Sequence, residues 1–438
     1  MGARGRMNFR VKWAVLGLLV FVAGQSGQAD GVLPKVRIGL VRAGEGVSFS
    51  GPAGVTIQTL RGDRAIGTAG PGEVWEARAE RAGVGLRDAR GSGSWTFRHG
   101  FRVVGPEDGV VTVYGVEGHW DGIEDRDYRG VIEVRRGRPG RLRVINTVDV
   151  ETYLRGVVPS EMPAGYPVEA LKAQAVAARC QALRKAGRHR REGFDLCAGQ
   201  HCQVYGGATV EDERSDTAVE ETRGEVLVWE NRVADTLYSS NCGGHTANNE
   251  DYWVGQRPEP YLRGAPDFDE VELGLSFPLA PEELERFLKY APAVNCNQPG
   301  HARASTIRWW SVTPRGELEE TLRREVGEFG ELLDVRIADR GESGIVRDVA
   351  VVGSRKLVRV RGGGDIRRAL GGLNSAFFAV EPVKGEGELP VAFVIWGAGW
   401  GHQVGMCQVG AAGLAEKGWE YRRILAKYYQ GCEVKRRY

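Results

Sequence analysis

Glu161 is a carboxylic acid with apolar neighbours and a proline on each side, in the segment Val157-Val158-Pro159-Ser160-Glu161-Met162-Pro163. We expect this segment to form a loop between a strand and the helix that follows it, with the two prolines fixing its path. Partial desolvation raises the pKa of a carboxyl group toward the range that a general acid needs near neutral pH. The alternative is a carboxylate that the dipole of the following helix stabilises. Spacing alone leaves both interpretations open.

Four side chains that can bind a metal ion lie close together further along the chain: His189, Cys197, His201 and Cys202. Two thiolates and two imidazoles complete a tetrahedral shell around zinc, and four protein ligands leave no position for a catalytic water. The pattern therefore predicts a structural zinc site. A disulfide between Cys197 and Cys202 is the alternative in an oxidising compartment.

Two further histidines, His245 and His402, lie in the glycine-rich segments Cys242-Gly243-Gly244-His245 and Gly399-Trp400-Gly401-His402. Glycine lets the backbone approach a ligand closely, so we assign both histidines to a substrate-binding cleft. The alternative is that they are structural hydrogen-bonding groups.

The overall composition sets limits on function. The chain has 438 residues, of which 42% are hydrophobic and 26% charged, as in ordinary globular proteins. It has 59 Lys and Arg against 57 Asp and Glu, so no strong positive field favours nucleic acid as a partner. The 63 glycines are spread along the chain and indicate many tight turns between short strands. The seven cysteines cannot all pair with one another.

Residues 1–29 have the features of a signal peptide. Basic residues precede an apolar run from Trp13 to Ala23, and small residues follow it, which favours cleavage before Asp30. The run is short for a membrane span, which also favours cleavage over a retained anchor. An uncleaved anchor is the alternative. Either way, we expect the protein to be exported to the periplasm or the cell-wall side of the cytoplasmic membrane.

The elements that must position these residues indicate an α+β fold. Residues 30–127 are predicted to form a small β-rich domain, with strands at Val36–Val41, Val55–Leu60, Trp95–Val104 and Val110–Val116. A strand at Leu142–Val148 precedes the clearest helix, Val168–Ala186, whose alanine-lined face predicts close packing on a sheet.

The rest of the chain continues this pattern. Residues 225–240 predict a hairpin that turns at Glu230-Asn231, and residues 265–305 predict an insertion or a lid that contains a helix at Glu282–Tyr290. Further helices are expected at Leu318–Val326 and Ala411–Lys417, with strands near Val335 and Val349.

Three ordered motifs resemble the stage II sporulation protein D family, also called the SpoIID/LytB domain. They are Tyr153-Leu154-Arg155-Gly156-Val157-Val158-Pro159-Ser160-Glu161-Met162-Pro163 with the helix after it, Cys242-Gly243-Gly244-His245-Thr246-Ala247-Asn248, and Gly399-Trp400-Gly401-His402-Gln403-Val404-Gly405-Met406. The resemblance covers residues 128–438, which we take as the catalytic domain.

The resemblance implies a peptidoglycan lytic transglycosylase that cleaves glycan strands, especially denuded ones, after N-acetylmuramic acid. Glu161 matches the catalytic glutamate of the family. Glycoside hydrolases generally use two carboxylates, whereas attack by the muramoyl 6-hydroxyl on its own sugar needs no second nucleophile and leaves a 1,6-anhydro end. No catalytic cofactor is implied.

Other residues take expected roles from the same resemblance. Lys172 and Gln174 match family positions in the helix and are expected to hydrogen-bond the sugar or orient the glutamate. Arg179 lies on nearly the same helix face as Lys172, and we assign it to substrate binding. Some family members carry zinc in the His189–Cys202 region. The chain departs from the family at Gln403, usually glycine, and at Cys407, often serine.

Two other functions stay open. One is a non-catalytic member of the same family that binds glycan and enhances a cell-wall amidase. The other is an ordinary glycoside hydrolase that pairs Glu161 with Glu250 or Asp251 and yields reducing ends instead of anhydro ends.

Overall fold

The structure is a computed structural model that describes residues 33–41, 44–62, 64–91, 93–117, 122–269, 273–298 and 300–438. The predicted signal peptide, residues 1–29, lies outside the described residues. Within the described ranges, no helix is long and apolar enough to cross a membrane.

Short strands separated by turns make up the N-terminal part of the protein. They are β1 (Lys35–Val41), β2 (Gly46–Ser50), β3 (Val55–Thr59), β4 (Ala65–Ala69), β5 (Trp75–Glu80), β6 (Gly83–Arg87), β7 (Ser94–Phe97), β8 (Gly100–Val104), β9 (Val111–Glu117), β10 (Ile123–Tyr128), β11 (Val131–Arg136) and β12 (Leu142–Asp149). The run predicted as one strand from Trp95 to Val104 forms two strands, because the chain turns before Gly100. Gly100 has φ +122° and lies so close to the Val134 carbonyl that a Cβ would be 2.0 Å from its oxygen.

Two helices follow β12. Helix α1 (Val150–Glu161) begins at Asp149, whose side chain accepts hydrogen bonds from the backbone N–H groups of Glu151 and Thr152. Helix α2 (Val168–Lys185) begins after Pro167 and confirms the predicted helix. Its alanines are buried on nearly every side, because α2 contacts strand β14 and is also enclosed by other helices. The predicted contact with a sheet is therefore only part of its packing.

The remaining elements alternate between helices and strands. They are β13 (Leu196–Cys197), α3 (Glu213–Glu221), β14 (Glu225–Trp229), β15 (Arg232–Val233), β16 (Tyr238–Ser239), α4 (Asn249–Tyr252), α5 (Pro281–Lys289), α6 (Ala304–Ile307), β17 (Arg308–Pro314), α7 (Arg315–Val326), β18 (Leu332–Arg340), β19 (Val346–Gly353), β20 (Leu357–Arg361), α8 (Gly363–Ala369), β21 (Phe378–Lys384), β22 (Pro390–Ala398), β23 (Met406–Cys407), α9 (Gln408–Glu416), α10 (Tyr421–Tyr428) and β24 (Glu433–Arg436). Short 3-10 turns occur at Arg190–Glu192 and Gly207–Val210.

Two large sheets organise the N-terminal strands. One has the strand order β13-β1-β12-β11-β8-β3-β4 and the other β10-β9-β2-β5-β6-β7. The first sheet joins strands from both sides of the boundary expected between residues 127 and 128, since β1 pairs with β12 and β8 pairs with β11. Whether residues 30–127 form a domain of their own stays a prediction.

The later elements confirm most of the predicted pattern. β14 and β15 form the expected hairpin, and its turn residues Glu230 and Asn231 have φ of 46° and 63°, as a tight hairpin turn requires. The helices expected near residues 282–290, 318–326 and 411–417 are α5, α7 and α9. Side chains from α7, α8 and strands β17–β22 share one apolar core. The protein therefore has an α+β fold with a β-rich N-terminal part, as predicted.

Candidate active site

Glu161 is the last residue of α1, so the prediction that it lies in a loop is wrong. Helix α1 includes Pro159 and ends only where Met162 adopts an extended conformation. Pro159 has no N–H to donate to the carbonyl of Arg155, but the helix continues past it, with the Ser160 side chain bonding the carbonyl of Gly156 and the Met162 N–H bonding the carbonyl of Val158. The glutamate is therefore held by a helix that is anchored at its other end by Asp149.

The carboxyl group of Glu161 lies inside the protein although the residue as a whole is only half-buried. Burial raises its pKa to about 7, against an ordinary value of 4.5. The backbone N–H of Val204 donates to Oε1 at 2.7 Å, and this bond, the charge of Lys185 and a hydrogen bond with Tyr238 lower the pKa by smaller amounts. A carboxyl group with this pKa can both give and take a proton near neutral pH.

The hydroxyl of Tyr238 is oriented by Gln203. The Gln203 amide Nε2 donates to the Tyr238 oxygen at 2.9 Å and to the carbonyl of Ala178 at 3.3 Å. Its Oε1 accepts from the hydroxyl of Tyr153 at 3.4 Å. Because Tyr238 accepts one bond from Gln203, its own proton is available to Glu161.

Gln174 reaches Glu161 through Gln408, the first residue of α9. The Gln408 side chain donates to the Glu161 carbonyl at 2.9 Å and to Gln174 Oε1 at 3.3 Å. Gln174 is fully buried. It is thus placed to position the end of α1 from the adjacent helix.

The other two helix residues have ionic partners. Lys172 forms ion pairs with Glu169 at 2.8 Å and with Glu221 at 2.7 Å. Arg179 has no exposed surface and pairs with Glu151 through bonds of 2.9 and 2.6 Å. Arg179 therefore joins α2 to α1, and this placement does not support the predicted contact with substrate. The role of Lys172 in catalysis stays a prediction.

His402 is connected to Glu161 through Tyr238. The His402 ring accepts from the N–H of Val404 at 3.1 Å and bonds the backbone carbonyl of Tyr238. Burial, aided by the charge of Lys185, lowers the pKa of His402 to about 3, so the ring is neutral. Trp253 packs against the ring with centroids 5.1 Å apart.

Two tryptophans with accessible surface lie beside His402: Trp400 two residues before it in the chain, and Trp253 against its ring. Trp400 is 38% exposed and Trp253 is half-buried. Aromatic side chains of this kind offer a large, flat apolar surface with a polar N–H at one end. They are suited to contact a sugar ring.

The described contacts of His245 are with residues other than Glu161, Tyr238 and His402. It is buried, its Nδ1 lies 2.6 Å from the carbonyl of Thr246, and its ring is 4.2 Å from that of Phe277 in the 265–305 segment. Burial lowers its pKa to about 4. These contacts fit the structural interpretation of His245, and its predicted role in substrate binding stays a prediction.

The four predicted metal ligands come together. The donor atoms of His189, Cys197, His201 and Cys202 all lie within 4.8 Å of one another. His189 Nε2 is 3.4 Å from Cys202 Sγ and 3.2 Å from His201 Nδ1, and its other ring nitrogen is 2.7 Å from a Glu192 oxygen. A carboxylate behind a ligating histidine fixes the orientation of the ring in many metal sites. The donor set suits zinc.

This cluster is directly linked to Glu161 by the chain. Cys202 is followed by Gln203, which orients Tyr238, and by Val204, whose N–H bonds the Glu161 carboxyl group. Any ion held by Cys202 would therefore fix the backbone that supports the glutamate.

The carboxylates proposed as a second catalytic group are engaged elsewhere. Arg263 donates to both oxygens of Glu250 at 2.6 Å, and this bond lowers the pKa of Glu250. Asp251 is buried and bonds Arg347 at 3.1 Å and Asn248 at 3.1 Å. Carboxylates held in this way do not favour the hydrolase alternative.

Sequence reasoning missed the groups that surround the glutamate: Lys185, Val204, Tyr238 and Gln408. Two of these residues lie next to features that the sequence predicted: Val204 comes shortly after the metal ligands, and Tyr238 lies near the end of the predicted hairpin. Nothing local in the sequence indicated that these segments meet at Glu161.

Comparison with known proteins is consistent with this geometry. Residues 138–229 match the family described as "Stage II sporulation protein" (SpoIID), and residues 247–405 match a family described as a domain of unknown function (DUF8618). The first match contains Glu161 and the four metal-ligand residues.

Three relatives are similar over about two thirds of the chain. An uncharacterized protein of Brachyspira hyodysenteriae is 29% identical over 66% of this chain and 68% of its own length. The amidase enhancer of Bacillus subtilis is 27% identical over 64% of this chain, which spans only 40% of that relative. The stage II sporulation protein D of Bacillus amyloliquefaciens is 28% identical over 66% of this chain and 75% of its own length. Residues 138–229 therefore match a SpoIID domain, and the chain is similar to the stage II sporulation protein D of two Bacillus species.

Proposed function

We propose that this protein is an exported peptidoglycan lytic transglycosylase that cleaves glycan strands after N-acetylmuramic acid and leaves 1,6-anhydro ends. The observation that carries the proposal is the buried carboxyl group of Glu161, whose pKa is about 7. The similarity to SpoIID proteins and to an amidase enhancer supports a role at the cell wall.

The proposed reaction uses this one carboxyl group twice. Protonated Glu161 donates its proton to the glycosidic oxygen as the bond from C1 of the muramoyl sugar breaks. The carboxylate that remains takes the proton of the 6-hydroxyl of the same sugar, and that oxygen bonds to C1. The leaving strand gains a hydroxyl group, the muramoyl end becomes a 1,6-anhydro ring, and Glu161 is protonated again. No water is consumed.

The surrounding groups keep the pKa of Glu161 suited to both steps. Burial favours the protonated form, while the Val204 N–H, Lys185 and Tyr238 stabilise the carboxylate that forms after the first transfer. Hydrogen bonds that are already in place when the charge develops lower the activation barrier of the reaction, because no group has to rearrange. We assign Gln174 to positioning of α1, and His402, with the neighbouring tryptophans, to contact with the glycan.

We also propose that His189, Cys197, His201 and Cys202 bind one structural zinc ion. Their donor atoms lie within 4.8 Å of one another, and four protein ligands complete a tetrahedral shell. Such an ion would hold the loop that carries Val204. The chemistry at Glu161 needs no catalytic metal.

The second candidate function is a glycan-binding enhancer of a cell-wall amidase. The relative that carries the name amidase enhancer, 27% identical to this chain, favours it. In that case the exposed Trp400 and the residues around it would bind glycan without cleaving it.

The products of digestion distinguish these functions. Denuded glycan strands incubated with the protein are expected to yield shorter oligosaccharides with anhydromuramoyl ends, measured by mass spectrometry. Glu161→Gln keeps the size of the side chain but cannot donate the proton, so cleavage should fall by about 10²–10⁴-fold. Glu213→Gln, which changes an exposed glutamate on α3, is the matched control and should cleave normally.

Three other outcomes would contradict the proposed function or its mechanism. Reducing ends would indicate a hydrolase. Wild-type rates in Glu161→Gln would remove Glu161 from the mechanism. An inactive wild type that binds glycan and accelerates a cell-wall amidase would establish the enhancer.

A further inference from the structure

A second group of metal-ligand side chains lies in the interior, outside the site of Glu161. The donor atoms of Cys242, Asp267, Cys296 and Cys407 all lie within 4.8 Å of one another, and all four residues are buried. Cys242 follows β16, Asp267 and Cys296 lie near the two ends of the 265–305 segment, and Cys407 ends β23. No local spacing in the sequence brings them together.

The distances fit a mononuclear tetrahedral ion. The sulfur atoms of Cys242 and Cys296 are 3.7 Å apart. With zinc–sulfur bonds of about 2.3 Å, two sulfurs of a regular tetrahedron are about 3.8 Å apart. An iron–sulfur cluster would separate its ligands more widely, and a disulfide would place the sulfurs at about 2.0 Å.

Cys407 is surrounded by donors that suit a thiolate. Its sulfur accepts hydrogen bonds from the backbone N–H groups of Cys242 and Gly410, both at 3.2 Å. It caps the N-terminus of α9, where the helix dipole stabilises negative charge.

Asp267 offers an oxygen directed at the cluster. It has no exposed surface, and its Oδ1 accepts a bond from the Tyr428 hydroxyl at 2.8 Å. Among the described residues, its buried Oδ2 has no hydrogen-bond partner outside the cluster. Gly410 leaves room for it, since a Cβ there would be 2.7 Å from Oδ2. A buried carboxylate oxygen left unsatisfied is costly, and a metal ligand role removes that cost.

Positive groups nearby balance the charge. Three thiolates and one carboxylate around a divalent cation leave two negative charges. Lys427 bonds the carbonyl of Pro266, next to Asp267, at 2.7 Å. Arg308 bonds the carbonyl of Gly243, next to Cys242, at 2.9 Å. These two cations match the net charge of an occupied site.

We propose that Cys242, Asp267, Cys296 and Cys407 bind a second structural zinc ion. Three sulfur ligands select a soft or borderline metal, and the closed set of four ligands assigns it a structural role. The ion joins both ends of the 265–305 segment to β23 and α9. Gln408, which follows Cys407, bonds the Glu161 carbonyl, so the ion also holds the end of α1 in place.

A disulfide between Cys242 and Cys296 is the rival in an oxidising compartment. With that disulfide, the Cys407 sulfur would still accept two backbone hydrogen bonds, but it would have no metal ion to bind. It would also leave Asp267 Oδ2 unsatisfied. The zinc ion accounts for all four residues.

Metal analysis of the purified full chain tests the proposal. Plasma mass spectrometry should find two zinc ions per chain in the wild type. Cys296→Ser should lose one of them, and Cys197→Ser should lose the other, at the His189–Cys202 cluster. The matched control is Cys180→Ser, which changes a fully buried thiol outside both clusters and should keep two.

A measurement on cobalt-loaded protein avoids dependence on the folding of Cys296→Ser. Cys197→Ser loaded with Co²⁺ should show the sulfur-to-cobalt charge-transfer absorption of a tetrahedral site with three thiolates. No zinc in the wild type, as much zinc in Cys296→Ser as in the wild type, or a Cys242–Cys296 crosslink in peptide mapping without reduction, would overturn the proposal. Since neither readout involves glycan cleavage, they are independent of the proposed function.

Discussion

The carboxyl group of Glu161 must lose a proton in one step of the proposed reaction and regain it in the next. Its pKa of about 7 results from burial, which favours the neutral acid, opposed by three groups that favour the anion. Of these, the hydroxyl of Tyr238 can be removed without changing the backbone.

Activity should therefore fall as pH rises through about 7, because the first step needs protonated Glu161. Tyr238→Phe removes a bond that stabilises the carboxylate, so the pKa of Glu161 rises and the alkaline limb moves to higher pH. The measurement is the pH profile of kcat/KM on denuded strands. If the alkaline limb does not move in Tyr238→Phe, the Tyr238 hydroxyl does not lower the pKa of Glu161. The control is Tyr290→Phe, which changes an exposed tyrosine on the protein surface.

The same pKa predicts how stability depends on pH. The folded-state pKa of Glu161 lies above its ordinary value of 4.5, so the folded protein binds more protons than the unfolded chain between pH 4.5 and about 7. The contribution of Glu161 is fully present below this window and is lost as pH rises through it. One pKa unit corresponds to about 1.4 kcal/mol, so the loss approaches about 3 kcal/mol above pH 7.

Glu161→Gln cannot ionise and should escape this loss. Its stability relative to wild type should increase from pH 5 to pH 8, measured by urea unfolding at each pH. A constant difference between the two proteins would mean that Glu161 ionises as easily in the fold as in the unfolded chain.

At the scale of elements, the position of α1 is fixed by close packing against residues 205–207, which follow the metal-ligand cluster. Gly156 faces that segment, and a Cβ there would be 2.6 Å from the Tyr205 ring and 2.7 Å from the Gly207 carbonyl. Since the backbone cannot yield easily at this contact, α1 would have to move away.

Gly156→Ala should therefore destabilise the protein by about 1–3 kcal/mol, as overpacking of a core does, and should lower activity because Glu161 ends the same helix. Gly165→Ala, just beyond α1, is the matched control, because nothing lies within 4 Å of its added Cβ. Thermal unfolding and cleavage rates check both. Equal effects from the two substitutions would contradict the packing argument.

Sequence predicted elements best where the signal was local. Helix α2 was found from its alanines and Pro167, whereas α1 was missed because Val157-Val158 and Pro159 favour extended structure, and only tertiary packing makes them helical. His189 and Cys202 were grouped because they are near each other in sequence. Cys242, Cys296 and Cys407 are far apart, so only the fold could join them, as it joins Tyr238 and Gln408 to Glu161.

At the scale of the whole molecule, the predicted catalytic domain, residues 128–438, does not contain all the strands of its first sheet. Strand β12 needs β1 as a partner and β11 needs β8, and both partners precede residue 128. Exposed strand edges of this kind favour aggregation.

A truncated chain of residues 128–438 should therefore be insoluble or poorly folded, although it contains every predicted catalytic and metal-binding residue. Circular dichroism and size-exclusion chromatography against residues 30–438 are the measurements. A soluble, cooperatively unfolding truncation would instead establish the boundary between residues 127 and 128 as a domain boundary.

The place of β1 in its sheet also determines the order in which the protein can fold. Val36 pairs with Val148 and Ile38 with Leu196, so the first described strand finds its partners only after long stretches of chain have been added. Contacts between distant positions form slowly, and until they form the strand is unpaired. During synthesis from the N-terminus, β1 is therefore made first, and its pairing is complete only when β13, which contains Cys197, has been made. Assembly of the sheet, and of the metal-ligand loop on its edge, therefore has to wait until nearly half of the protein is available.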